Sequence, residues 1–407
     1  MASEIVELAG IISQSAGVLD QSLKKHGLCM PSFDVDSPVD IPHPSQATID
    51  AQDKAMTACM ELLDRLNGPL GCLCSRHSNS SLQVIFHFDV ARHVPLDKEI
   101  SYIDLSRACG VHHHDLKQVI RYAIAFHRFF AEKRKGYVSH SASSRRIVED
   151  SLAHAGVAQF YEFTTSFSSL PDAISQFKGH EHHETVSFFQ YISTRPDKAK
   201  LFSEAMKFFT GGNVDASPEF LSKGYPWRSL PMGAVVVDVG GSEGNMGRLI
   251  SLENPLIQVI VEDIPSVIAN AEAAAITGYS NVQFKAHDFF SPQPVVADVY
   301  LFRWVMHDWS DDNVVKILRQ LIPALKNGAK VVVNESLCPE NGSVPLATER
   351  YIRHIDMSML ALNNSRLRDV EEWNDLFQQA DPRFGAVKCW NPPDAALAIM
   401  EVVWEGH

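Results

Sequence analysis

The 407-residue chain has no long hydrophobic run. No stretch approaches the ~18 uncharged apolar residues of a membrane-spanning helix, so no membrane partner is expected. Positive charge is also in short supply. Lys plus Arg number 36 against 49 Asp plus Glu, for a formal charge of −13. An acidic surface repels phosphate backbones, so no nucleic-acid partner is expected either. Cysteine is scarce: there are seven, and the one close pair, Cys72 and Cys74, has no second pair at zinc-like spacing. Reduced thiols in a cytoplasmic protein, and no metal, are the expectation. The histidine clusters at 112–114 and at His180, His182 and His183 read as solvated polar surface. Met1-Ala2-Ser3-Glu4 is no basic segment leading into an apolar block, so no secretory leader is expected. Internal repeats and low-complexity tracts are missing too. What is present is ordinary globular composition, 45% apolar and 21% charged, in a chain long enough for two or three domains.

The organisation changes partway along. Residues 4–26 read as an amphipathic helix, with Ile5, Leu8, Ile12, Leu19 and Leu23 near one face and Gly27 as its stop. A proline-containing loop runs from Pro31 to Pro44, and 47–66 is again helical. Ser101 caps a short helix, Asp115–Arg121 opens another, and Gly136-Tyr137-Val138 reads as a wing strand. This resembles a winged helix, suited to dimerisation rather than DNA binding. From about 233, β-branched runs alternate with helical ones: Val235–Val237, Ile257–Val261, Val282–Phe284, Ala297–Phe302 and Val331–Val333. A helix over 311–326 is expected to start at Ser310 and stop at Asn327-Gly328. Runs near 385–390 and 396–404 read as a terminal hairpin. The alternation predicts an α/β fold, a doubly wound, mostly parallel sheet that binds ligands at the carboxyl ends of its strands. The expected division is 1–195, helical and winged-helix-like, and 196–407, the α/β domain.

Three segments fall at that rim. Asp238-Val239-Gly240-Gly241-Ser242-Glu243-Gly244 follows an apolar strand and opens a helix. It fails the dinucleotide pattern G-x-G-x-x-G, since 242 is Ser and 245 is Asn. Glu262-Asp263 ends the next strand, where a carboxylate can take both ribose hydroxyls of a nucleoside. His287-Asp288-Phe289-Phe290 ends the third, where an acid beside an aromatic suits an adenine.

With Trp304-Val305-Met306-His307-Asp308-Trp309, these motifs resemble the class I S-adenosylmethionine-dependent O-methyltransferases, of the fungal secondary-metabolite type related to caffeate and flavonoid enzymes. Gly224-Tyr225-Pro226-Trp227 and Ala380–Phe384 resemble the same group, and the likeness runs over almost the whole chain. The resemblance implies a Rossmann-like methyltransferase domain behind a helical dimerisation domain, a homodimer, and S-adenosylmethionine as cofactor. It implies that Gly240, Gly241 and Ser242 hold the methionine part of the cofactor, Asp263 the ribose, Asp288 and Phe289 the adenine, and Arg303 a further contact. His307 maps to the general base, with Asp308 beside it and Glu335 as the acid that orients it. The family's second orienting acid falls at Leu367, so that support is missing here; Asp369 lies two residues on.

A phenol ionises near ~10, so a base with a pKa close to neutral helps to activate it. Histidine has that pKa. The expected acceptor is a small molecule with a phenolic or enolic hydroxyl, of polyketide type. Candidates for its pocket are Phe188, Phe189, Trp304, Met357 and Met359, with Tyr191, Met206 and Phe209 behind them. A second reading stays open. Some fungal proteins of this fold bind the cofactor without transferring methyl and act as pericyclases, steering dehydration or cycloaddition by charge stabilisation. His127 and His183 would then be spare acid–base groups. A regulator would need a basic recognition helix, which Val111-His112-His113-His114-Asp115 is not.

Overall fold

The computed structural model describes residues 3–73, 78–177, 192, 194–212, 216–273, 281–393 and 395–406. Phe188, Phe189, Tyr191, His183 and Cys74 lie outside the described residues. The chain divides into two units: 1–169 with 195–208 and 340–351, and 170–194 with 209–339 and 352–407.

The first unit is built from helices. Helix α1 (Glu4–Lys25) buries Leu8, Leu19 and Leu23 on one stripe, while Ile5 is exposed. Leu19 and Leu23 pack with Ala51 of α2 (Gln46–Leu73), which breaks at Gly68, in the left-handed region ahead of Pro69. Helices α3 (Ser80–His87) and α4 (Val90–His93) precede strand β1 (Ile100–Ser101). Ser101 then caps α5 (Tyr102–Cys109) by accepting from the Asp104 N–H, and Gly110 ends it at φ 69°. Helix α6 (His113–His127) follows, and β2 (Tyr137–Val138) pairs antiparallel with β1. Leu82, Ile85, Leu105, Leu116, Ile120, Phe129 and Val138 form the core. Helices α7 (Ala142–Glu149), α8 (Ser151–Phe177) and α9 (Pro196–Gly212) come next. At Gly156, a Cβ would stand 2.2 Å from the Phe208 ring, so only glycine lets α8 and α9 approach this closely.

The second unit is an α/β sandwich. After α10 (Pro218–Gly224) come β3 (Val235–Val239), α11 (Asn245–Glu253), β4 (Gln258–Asp263), α12 (Pro265–Ala273), β5 (Val282–Ala286), β6 (Ala297–Arg303), α13 (Asp311–Leu321) and β7 (Leu325–Glu335). They are followed by α14 (Leu346–Asn363), α15 (Val370–Ala380), β8 (Lys388–Trp390) and β9 (Ala398–Val403). The sheet order is β5-β4-β3-β6-β7-β9-β8, parallel up to β7 and antiparallel in the terminal hairpin. Both faces are covered, which is why the strands read as unbroken apolar runs. Val237, Tyr300, Phe302, Val331 and Val333 face one core with Trp373, Phe377 and Trp404. Val236, Leu301, Val332 and Ile399 face the other with Trp227 and Ile250.

The doubly wound sheet and hairpin expected from the sequence are both present. One boundary differs. The helix expected to run to 326 ends at Leu321, passes through a 3-10 turn at Ile322–Ala324, and is already strand at Leu325. Pro323 supplies no backbone N–H to carry the helix on. Asn327-Gly328 lies instead inside β7, with Gly328 at φ 80°.

Candidate active site

The rim is built where β3, β4 and β6 end side by side. The Gly240 and Gly241 N–H groups donate to the Glu262 carbonyl at 2.8 and 3.1 Å, tying the glycine turn to β4. Gly240 sits at φ 70°, and a Cβ there would meet Val305 at 2.9 Å. A Cβ on Gly241 would stand 2.7 Å from the Asp238 carboxyl and 2.8 Å from Val261. Ser242 takes φ 52°, uncommon for a residue with a side chain. Its N–H donates to Asp263 Oδ2 at 2.9 Å, and the Ile264 N–H donates to Asp263 Oδ1 at 2.8 Å. Both Asp263 oxygens are thus fixed, and each keeps a lone pair for a further donor. Burial pushes the Asp263 carboxyl up from its ordinary value, against those two bonds. Glu262 alternates to the other side of the strand, buried, and accepts from Gln293 at 2.8 Å.

Beneath the turn, Asp238 is buried and accepts from the Gly247 N–H at 3.2 Å. Burial raises its pKa to about 7, opposed by the positive Arg303. Burial lowers Arg303 in turn to about 10, opposed by Asp238. Arg303 Nη2 donates to the Ala216 carbonyl at 2.7 Å, and its guanidinium lies 4.8 Å from the Trp304 ring centre. Its Nε is buried without a partner, as is His287 Nε2. Asp288 is exposed and turns back to accept from the Phe290 N–H at 3.0 Å. Phe289 and Phe290 both meet Trp309 edge-on. The bare glycine turn, the Asp263 lone pairs and the unpartnered Arg303 Nε fit a nucleoside cofactor with a charged tail.

The histidine lies at the end of β6, in a 3-10 turn, Met306–Asp308. Trp304 leads into it at φ 54°. Two buried, charged side chains hold that turn. On the N–H side, Glu335 Oε1 at the end of β7 accepts from Val305, Met306 and His307 at 3.1, 2.7 and 3.2 Å. On the carbonyl side, Arg368 donates to Met306 O at 3.2 Å and Trp309 O at 2.7 Å, and to Asp311 Oδ1 at 2.8 Å. An anion therefore meets the turn's donors and a cation its acceptors. The imidazole is set between two carboxylates. Its Nδ1 is 3.7 Å from Glu335 Oε2, and its Nε2 is 3.7 Å from Asp308 Oδ1. Both distances are ion-pair contacts, too long for hydrogen bonds. Burial pushes Asp308 up to about 6, with the charge of His307 pulling it back and that of Glu335 adding to the rise.

The structure thus brings together His307, Asp308 and Glu335, and separately Gly240, Gly241, Ser242 and Asp263. Leu367 is buried, and its N–H donates to Asp356 at 2.9 Å. Asp369 is spent on capping α15, accepting from the Glu372 N–H at 2.8 Å. Met357 is exposed on α14 and Met359 half-buried near its end. Sequence reasoning missed Arg368 and also Asn363, whose Nδ2 donates to Asp308 Oδ1 at 3.0 Å. Nothing local marks either residue, since each contacts the histidine turn from 55 or more positions away. Among the described residues, no cluster of His, Cys, Asp or Glu could hold a metal, and no helix is long and apolar enough to cross a membrane.

Comparison with known proteins gives the family and the fold. An O-methyltransferase domain profile matches residues 167–382. The chain is 39% identical to the grayanic acid biosynthesis cluster O-methyltransferase of Cladonia grayi, over 100% of this chain and 89% of that protein. It is 38% identical to O-methyltransferase pyvH of Aspergillus violaceofuscus, over 99% of both. Among solved structures, OxaC in complex with SAH and oxaline superposes with a TM-score of 0.74 at 18% identity, covering 98% of this chain and 100% of that one. LepI in complex with SAM gives 0.68 at 19%, covering 96% and 99%. At such identities these two structures speak for the fold.

Proposed function

The chain belongs to the O-methyltransferase family, and from that premise we propose that His307 is the general base of an enzyme methylating a phenolic or enolic hydroxyl of a small metabolite. The enzyme is an S-adenosylmethionine-dependent O-methyltransferase, related to fungal enzymes of secondary metabolism. The bound cofactor supplies a methyl group on a sulfonium sulfur, a leaving group that is already activated.

The chain's own residues do the rest. Asp263 accepts the ribose hydroxyls, the Gly240–Ser242 turn holds the amino-acid tail, and Asp288 and Phe289 border the adenine. Arg303 neutralises Asp238 beneath the turn. His307 takes the proton of the acceptor hydroxyl on Nε2, so negative charge grows on that oxygen as it attacks. Glu335 faces Nδ1, which favours the tautomer with Nδ1 protonated and leaves Nε2 free to accept. Trp304, Met357 and Met359, with Phe188 and Phe189, are the proposed acceptor contacts. In this reading residues 1–195 pair two copies into a homodimer, and 196–407 carry out catalysis. The exposed Leu63, Leu66, Leu70 and Leu73 of α2 support that pairing. Six described cysteines, all unpaired, agree with the cytoplasm.

The observation that carries this reading is the His307 turn, held at the strand ends by buried Glu335 and Arg368. Its test is His307→Ala. Methyl transfer from labelled cofactor to acceptor should vanish while calorimetry shows the cofactor still bound; unchanged turnover discards the base. One observation favours the second reading, a pericyclase: Leu367 is apolar and buried where the family places an acid. Incubating the enzyme with labelled cofactor and the producer's metabolite extract separates the two. Label in the product supports transfer, and a rearranged, unlabelled product supports the pericyclase.

A further inference from the structure

Asn363 ends α14, and its side chain is half satisfied. Nδ2 donates to Asp308 Oδ1 at 3.0 Å, while Oδ1 is buried with no partner. A buried amide oxygen left unpaired is a net loss of stability. A leucine would fill a similar volume without that loss. The amide is therefore explained by the bond it does make. That bond falls on the same Asp308 oxygen that stands 3.7 Å from His307 Nε2. Leu367, where a second acid would otherwise stand, is buried and apolar.

We propose that Asn363 is a positioning residue for the base: it fixes the Asp308 carboxylate beside His307 Nε2, so that Asp308 serves as the second acid. The proposal rests on the reading of His307 as the base. Asp308 has His307 and Glu335 as its charged neighbours and Asn363 as its amide partner. A donor on Oδ1 favours the ionised carboxylate, and the ionised carboxylate favours the imidazolium that forms when His307 takes the acceptor's proton. An ionised carboxylate has no proton to donate to the Nε2 lone pair, and 3.7 Å is beyond hydrogen-bond range, so the lone pair stays open to the incoming hydroxyl. Burial raises Asp308 towards neutrality, and the Asn363 bond is one of the interactions that counter it.

The test is a double-mutant cycle read by pH profile. Asn363→Leu should lower kcat by about tenfold and move the acid limb of kcat/KM down by about one pH unit, because the imidazolium loses an anion that stabilises it. Asp308→Asn should do the same. The double variant should be no worse than the poorer single, since both changes break one interaction. Cofactor affinity by calorimetry should be unchanged in all three. If Asn363→Leu does not fold, Asn363→Ser takes its place in the cycle. Losses that multiply, or an unmoved acid limb in a folded variant, overturn the proposal. Full turnover in His307→Ala sinks the base assignment and this proposal together. A dead His307→Ala with an unmoved limb in the Asn363 variant sinks this one alone.

Discussion

Replacing Arg368 by methionine tests whether the histidine turn is held from its carbonyl side. Methionine keeps most of the buried volume and removes the guanidinium. Four bonds go: to Met306 O at 3.2 Å, to Trp309 O at 2.7 Å, to Arg366 O at 3.5 Å and to Asp311 at 2.8 Å. The Asp311 loss is softened, because Arg366 still donates to that carboxylate at 2.7 Å and the group is partly in water. Met306 O keeps the Trp309 N–H at 3.1 Å, so its loss is softened as well. What remains is a buried network stripped of its cation, at a cost of about 3 kcal/mol, the low end for removing one partner of a buried ion pair. At about 2–4 °C per kcal/mol for a domain of this size, the Tm should fall by about 10 °C. The turn then keeps only its Glu335 side. A displacement of ~1 Å at a reacting group costs on the order of 100-fold, so kcat should drop by about that factor at temperatures where the variant is still folded. Arg368→Lys, with one nitrogen in place of a fork, should fall between the parent and Arg368→Met. Thermal unfolding and steady-state methyl transfer measure both effects. An Arg368→Met enzyme within about 2 °C and twofold of the parent would refute the idea that this side chain holds the base.

Further expectations follow from the same geometry. Asp263→Ala should weaken cofactor binding by on the order of 10- to 100-fold, since it removes a charged acceptor; equal affinity in calorimetry contradicts the ribose contact. Gly241→Ala places a Cβ 2.7 Å from the Asp238 carboxyl, so cofactor affinity and Tm should both fall, and an unchanged Tm would mean that the turn is looser than it looks. His140 is buried, with Nε2 on the Val94 carbonyl and Nδ1 on the Ser144 hydroxyl, and burial holds its pKa below the ordinary 6.5. The unfolded chain then binds more protons, so this contribution to stability is complete above pH 6.5 and is lost as pH falls through the lowered folded value. The Tm between pH 7 and pH 5 should therefore decline less steeply in His140→Gln than in the parent; identical slopes would remove His140 from the account.

Much of this fold is written locally. Val235–Val237 and Val331–Val333 are β-branched runs between two apolar layers, and such runs have few other uses. The glycine turn declares itself because its neighbours crowd every Cβ position. His307 and Glu335 were picked out through the family resemblance of the motifs around them, His307 in the turn after β6 and Glu335 at the end of β7. Arg368 was not, because its meaning lies in carbonyls 59 and 62 residues away. The role of Asp369 was legible and went unread: an acid three residues before Glu372, ahead of an apolar helix, is a capping box, which commits that carboxylate to its own helix. The helix ends ahead of Asn327-Gly328 because Pro323 has no backbone N–H to carry it on.

The sheet also constrains how the polypeptide is made. Strand β9 lies between β7 and β8, with Val331↔Val402 and Cys389↔Met400 in register, although every other strand leaves the ribosome first. Until residue 403 has emerged, β7 offers a naked valine-rich border, the kind of edge that recruits neighbouring chains. Nascent molecules that stall upstream of Ala398 should thus be the ones chaperones must shield, and translation of β9 decides whether a polysome yields enzyme or aggregate.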